Sequence, residues 1–418
     1  MAQVEQLDER VRRTVAPNGL RVLTEVLPGV RSAAVGIWVR AGGAHDPADH
    51  PGAAHLLEHL VFKGTARRSA HAIAHDLESR GGALDAYTSR DHTNFQAHLL
   101  DTDLPLAVDV LTDLVGRPLL RPEDLELERN VVLEEIRGVH DTPDDVVFEL
   151  HARALWGDHP YGRSILGSAE AVSAISAPDL TGVHQRAYHP ANCVVAAAGQ
   201  VDHQALLVLL EREGWLNGRG AAVTGPVEPA AAVRGQRVHV ARQTQQSHVV
   251  FGTDTVAATD PRRYPLALVI NTLGGGMSSR LFQRVREELG LAYAVFAFQH
   301  LHLAGGSMGI YVGTRPDQAE LATEAILAEL ARLAREGLTQ SEVDTARRQM
   351  KGQIVLGLES PVSRMHRLAN LELMHDRYRS IDDVLGEIDA VTAEQILAVS
   401  SEFLAPERQT ILRLGPEG

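Results

Sequence analysis

The two halves of this 418-residue chain carry the same succession of secondary-structure signals, and this internal repeat constrains the fold more than any other feature. In the first half, β-rich runs at 11–16 and 20–26 flank Asn18-Gly19. That dipeptide favours the tight turn of a hairpin, because both residues tolerate positive φ. Residues 32–40 read as a buried strand. Helical periodicity follows at 52–62, with Gly64 placed to cap its C-terminus, and again at 70–80, ending at Gly81-Gly82. Strands are expected at 83–88 and 93–99, then helices at 104–116 and 122–139. The second half retraces the order, with a strand at 246–252 and helices at 265–273 and 279–289. Strands at 291–298 and 306–312 come next, then helices at 319–336 and 341–356. The match is closest between RPEDLELERNVVLEEI (121–136) and TQSEVDTARRQMKGQI (339–354). Both have a helix-start residue, an acidic first turn and similar apolar spacing. Between the halves, NGRGAAVTGPVEPAAAVRG (217–235) is rich in Gly, Ala and Pro and lacks periodicity, which reads as a linker.

The expected fold class is therefore α+β. It comprises two homologous domains, 1–216 and 236–418, each a mostly antiparallel sheet with helices packed on one face. Composition excludes several functions. With 54 acidic against 40 basic residues, net −14, the chain lacks the cationic surplus that a nucleic-acid partner requires. No run approaches the roughly 18 apolar residues of a membrane span. The N-terminal MAQVEQLDERVRR has no apolar core of a signal peptide, so a cytoplasmic location is expected. The single cysteine, Cys193, permits neither an intramolecular disulfide nor a cysteine metal cluster, and reads as a packed small residue.

The strongest chemical signal is HLLEH, which puts His55 and His59 at i and i+4 with Glu58 between them. On a helix those positions share one face, so two imidazoles can bind one zinc ion. Glu58 flanks the same face without needing to ligate. From there it can take a proton from water activated by the metal and pass it to a leaving amine. This is the inverted HxxEH order of the inverzincins. A third protein ligand is then required, and helix 122–139 offers Glu123, Asp124, Glu126, Glu128, Glu134 and Glu135. Glu128 and Glu135 lie two turns apart on one face, near Val131 and Val132. A carboxylate on a partly apolar face needs a partner, which a metal supplies. His45, His50, His71, His75, His92 and His98 surround the motif and read as surface or hydrogen-bonding residues.

The run HLLEHLVFKGT, with Glu135 seventy-six residues after His59, resembles the pitrilysin / mitochondrial processing peptidase / insulin-degrading enzyme family. So do ESRGGALDAYTSRDHTNF (78–95), HPYGRSILGS (159–168) and LGGGMSSRLFQRVREELGLAYAV (273–295). The length matches bacterial-type members of two repeated domains rather than the four-domain fused ones. The resemblance implies one Zn²⁺ per chain, held by His55, His59 and Glu135, with Glu58 as base and Glu128 supporting the ligands. It implies that Arg286 and Tyr293 contact the substrate backbone and the developing oxyanion. It also favours the segment Ala83, Leu84, Asp85 and Ala86 as a sheet edge that binds extended peptide. Gly274, Gly275 and Gly276 would form a peptide-contacting loop; no Lys-Ser/Thr pair follows them to suggest a phosphate loop.

The repeat is chemically asymmetric. Gln353 aligns with Glu135 and Ala346 with Glu128, and Leu273-Gly274-Gly275-Gly276 stands where the first half has its histidine motif. The expected function is a zinc endopeptidase acting on peptides or unfolded polypeptides. The alternative, a non-catalytic structural or partner subunit of the same family, is disfavoured because His55, Glu58, His59 and Glu135 are all present. In the fused members the zinc comes from the first repeat and the Arg…Tyr element from the last. A two-repeat chain would reproduce this as a homodimer with active sites completed in trans.

Overall fold

The structure, a computed structural model, describes residues 4–218, 222–229 and 231–417. The expected linker therefore lies partly outside the described residues, and its described part holds no helix or strand. The first half opens with β1 (Val4–Gln6), β2 (Val11–Val15), β3 (Arg21–Val26) and β4 (Ser32–Val39). Helices α1 (Ala53–Val61) and α2 (Ala70–Glu78) lead into β5 (Ala83–Thr88) and β6 (Thr93–Leu100). Then come α3 (Leu104–Gly116), α4 (Pro122–Asp141), α5 (Pro143–Trp156), α6 (Ala169–Ala174) and α7 (Ala177–Ala187). The half closes with β7 (Cys193–Gly199) and α8 (His203–Arg212). The second half runs β8 (Arg237–Ala241), β9 (Ser247–Thr255), α9 (Arg263–Gly274), β10 (Ala292–Leu301) and β11 (Gly306–Thr314). It continues with α10 (Ala319–Glu336), α11 (Gln340–Gly357), α12 (Pro361–His375), α13 (Ile381–Asp389), α14 (Ala393–Phe403) and β12 (Thr410–Gly415). The expected hairpin is present as β2 and β3, with Gly19 at φ +93° in the turn between them. Cys193 is fully buried on β7.

The chain forms two compact units, and neither is contiguous in sequence. The first comprises Met1–Ile136, Ser164–Pro226 and Val355–Ser380; the second comprises Arg137–Arg163, Val227–Ile354 and Ile381–Gly418. The sheet of the first unit has the order β1-β2-β3-β7-β4-β6-β5, and that of the second β10-β11-β9-β12-β8. Every neighbouring pair is antiparallel except β3 with β7 and β12 with β8. The set β3-β7-β4-β6-β5 thus has the same order and strand senses as β8-β12-β9-β11-β10. The repeat read from the sequence is a repeat of strand pairing, with β1 and β2 added to the first copy.

Helices form the main layer on one face of each sheet, and one further helix covers the opposite face. In the first unit, Val35, Ile37, Phe95 and Val195 face the layer that contains α1, α3 and α8. Ala34, Trp38, Val194 and Ala196 face the other way, onto Met365, Leu368 and Ala369 of α12. In the second unit, Val249, Phe251, Ile310 and Val312 meet α9, α10 and α14. Val250, Tyr311 and Leu412 meet Val146 and Val147 of α5. Coverage of both faces explains why β4, β7 and β11 are buried along almost their whole length rather than at alternate positions. The helices α5 and α12 occupy equivalent places in the repeat, after α4 and α11. Each belongs to the unit built chiefly from the other half of the sequence.

Charge holds α12 on its sheet. Glu372 is 1% exposed and accepts hydrogen bonds from Arg13 Nη2 at 2.6 Å and Nε at 3.0 Å. Arg21 lies 3.2 Å from the same carboxylate, and Arg40 Nη2 donates to the Glu372 carbonyl at 3.1 Å. A carboxylate this deep is tolerable only because it is paired, and removing it would strand guanidinium charge away from water. Among the described residues, no helix is long and apolar enough to cross a membrane.

Candidate metal centre

Helix α1 begins where the chain reverses at Gly52, whose φ of +97° is accessible to glycine and whose Cα approaches a neighbouring strand of chain so closely that a Cβ would lie 2.6 Å from the Leu166 carbonyl. Its first turn is capped from a distance. Asp46 accepts hydrogen bonds from the Gly52 N–H at 2.7 Å and the Ala54 N–H at 2.8 Å, which satisfies helix-start donors and complements the helix dipole. Leu56, Leu57, Leu60 and Val61 are each no more than 1% exposed. Burial of about 1.5–3 kcal/mol for each large side chain fixes the rotation of the helix. The opposite face then presents His55, Glu58 and His59.

Helix α4 brings the carboxylates. Leu125 and Val132 bury one side of it. Arg129 ties it to the chain near α6, donating to the Val172 carbonyl at 3.2 Å and the Ile175 carbonyl at 2.5 Å. Glu135 then reaches both imidazoles, with Oε2 3.6 Å from His55 Nε2 and Oε1 3.7 Å from His59 Nε2. The ligand atoms of His55, His59 and Glu135 all lie within 4.8 Å of one another. Donors about 2.0–2.1 Å from a tetrahedral zinc are separated by roughly 3.4 Å. Two imidazoles and a carboxylate at these spacings therefore fit the ion. Burial, with the neighbouring His59, pushes His55 down to about 4, so its imidazole is neutral and able to ligate at neutral pH.

The remaining nitrogen of His59 is supported: its Nδ1 lies 3.2 Å from Glu128 Oε2, and Glu128 Oε1 is 2.5 Å from Lys63 Nζ. Glu128 is 6% exposed, so this lysine is what makes its charge tolerable. Glu58 accepts a 2.5 Å hydrogen bond from the Thr88 hydroxyl of β5. Burial pushes the Glu58 carboxyl above its ordinary value, while Thr88 and His59 pull it back. Lys63, Thr88 and Asp46 were not singled out by sequence reasoning. Each acts across loops or between elements, which no local spacing in the sequence records.

All of these residues belong to the first unit. There β5 forms the free edge of the sheet, with Ala83 and Asp85 exposed and Leu84 and Ala86 turned toward the helical layer. None of the six surrounding histidines joins the cluster among the described residues. Arg286 and Tyr293 belong to the second unit. Arg286 lies on a π-helical segment, Phe282–Glu288, with its guanidinium 4.6 Å from the Phe282 ring centre and 4.9 Å from that of Tyr293. Tyr293 is 79% exposed on edge strand β10. The glycine run needs correction. Gly274 is buried in the last turn of α9, where a Cβ would lie 2.3 Å from the Ala297 nitrogen, so it serves helix–strand packing. Only Gly275 and Gly276 are exposed.

An uncharacterized zinc protease of Mycobacterium tuberculosis is 42% identical over 410 residues, 97% of this chain and 93% of the relative. The uncharacterized zinc protease YmxG of Bacillus subtilis is 34% identical over 408 residues, covering 98% and 99%. Residues 21–169 match the insulinase domain of peptidase family M16. The chain belongs to the M16 peptidase family. Its residues 174–350 match the M16 inactive domain, and among the described residues the one cluster that could hold a metal ion is His55, His59 and Glu135. Two solved structures share the fold over the full length of the M16 chain described here. A protease from Helicobacter pylori gives a TM-score of 0.90 and an M16 inactive-domain protein from Pseudomonas fluorescens gives 0.89, each at 22% identity. They cover 100% of this chain, and 100% and 98% of their own.

Proposed function

We propose that the protein is a zinc-dependent endopeptidase that cleaves peptides or unfolded polypeptides. The convergence of His55, His59 and Glu135 within 4.8 Å, with Glu58 beside them, carries this reading. The naming of relatives as zinc proteases supports it. Zinc held by these residues would supply Lewis acidity, lowering the pKa of a water and polarising a peptide carbonyl. Glu128 and Lys63 orient and balance His59. Glu58 accepts the proton of the attacking water and delivers it to the departing amine. The free edge of β5 offers backbone donors and acceptors to an extended chain, which suits substrates without fixed structure. A peptide-library digest read by mass spectrometry should show internal cleavages that a chelator abolishes and added zinc restores. Cleavage unaffected by the chelator would defeat the reading.

Arg286 and Tyr293, as substrate-backbone and oxyanion contacts, and Gly275 and Gly276, as peptide contacts, extend the proposal to the second unit. We further propose a homodimer in which one protomer's second unit completes the site on its partner's first unit. The exposed Tyr293 ring supports this. Co-expressed Glu58→Gln and Tyr293→Phe chains would then form mixed dimers with one doubly damaged and one intact site. Activity should recover toward half of wild type. No recovery from mixed dimers that demonstrably form would place the site within one chain.

A further inference from the structure

The hydrogen bond between Thr88 and Glu58 joins two parts of the site that the peptidase reading treats separately. Thr88 is the last residue of β5, the free edge strand, and pairs in register with Thr93 of β6. Thr93 is wholly buried and donates its hydroxyl to the Ala41 carbonyl at 2.9 Å, so the end of β5 is anchored to the interior of the sheet. Alternation along β5 turns Thr88 to the same face as Leu84 and Ala86, toward the helical layer that contains α1. As a β-branched residue, Thr88 has few rotamers on a strand, so its hydroxyl has a defined position. Glu58, by contrast, is an unbranched side chain with three rotatable bonds and considerable entropy to lose on being fixed. The Thr88 hydroxyl donates to Oε2 at 2.5 Å. Among the described residues, Oε1 has no hydrogen-bond partner.

We propose that Thr88 is the positioning residue of the general base. By occupying Oε2, it holds the carboxylate in one orientation and leaves Oε1 as the oxygen that accepts the proton. Because Thr88 lies on the strand that would take up the peptide, substrate pairing and base orientation share one rigid element. This inference rests on the peptidase reading and adds a residue to it. Thr88 itself touches neither metal nor substrate in this role; it acts through Glu58.

The test is a double-mutant cycle on a fluorogenic peptide that the wild-type enzyme cleaves, with zinc content and melting temperature measured for each variant. Thr88→Val keeps the shape and removes the donor. It should lower kcat roughly ten- to hundredfold, the loss expected for one hydrogen bond to a charged group, with KM and zinc nearly unchanged. Thr88→Ser restores the donor and should return kcat to within about threefold of wild type. In the Glu58→Gln background, under single-turnover conditions, Thr88→Val should change the residual rate by less than about twofold. An equal loss in both backgrounds, or full activity in Thr88→Val, overturns this inference and leaves the peptidase reading standing. Full turnover in Glu58→Gln alone overturns the base assignment and this inference together.

Discussion

Glu58→Gln is expected to keep about one zinc per chain while kcat falls by roughly two to four orders of magnitude, the usual contribution of a positioned general base. Glutamine matches glutamate in shape, and its amide oxygen can still accept the Thr88 hydroxyl. What it cannot do is hold a proton between the attack of water and the departure of the amine. Glu58 lies beside the ligand set rather than within it, so the metal should remain. Steady-state kinetics and metal analysis on the same preparation make the check. Loss of zinc along with activity would mean that Glu58 ligates, and retained turnover would move the base elsewhere.

His55→Ala should take zinc from about one per chain to near zero and abolish cleavage, because only two of three protein ligands remain. The fold should survive. The apolar face of α1 is formed by Leu56, Leu57, Leu60 and Val61, none of which changes, and the Asp46 cap binds the backbone N–H groups of Gly52 and Ala54, which the substitution keeps. Losing a half-buried imidazole costs little packing, and His55 Nδ1 makes no hydrogen bond among the described residues. Circular dichroism should therefore match wild type while metal analysis does not. Wild-type zinc in this variant would sink the ligand assignment.

Local pattern carried much of this protein. The HLLEH spacing, the ExxxxxxE spacing of Glu128 and Glu135, and the glycines that end helices are all short-range features. Their geometry follows from a rise and rotation per residue that is nearly the same in every helix. The repeat was legible for the same reason, since equivalent strands and helices recur in one order. What local pattern left ambiguous was anything that depends on packing between distant segments. Gly274 looked like part of an open loop, because a run of glycines suggests mobility; it is instead a close contact with Ala297, twenty-three residues away.

The histidine motif and its helix, the lack of a matching motif in the second half, and the order of helices and strands along the chain can all be read from the sequence. Tertiary structure alone decided that α5 and α12 cover sheets built chiefly by the opposite halves. It also decided that Lys63 balances Glu128, and that Thr88 reaches Glu58. The reason is physical. An amphipathic helix records that it must bury a face, but any apolar surface of the right size satisfies that demand. Which surface it finds is settled by chain connectivity and by specific pairings such as Arg13 with Glu372, whose partners are 359 residues apart.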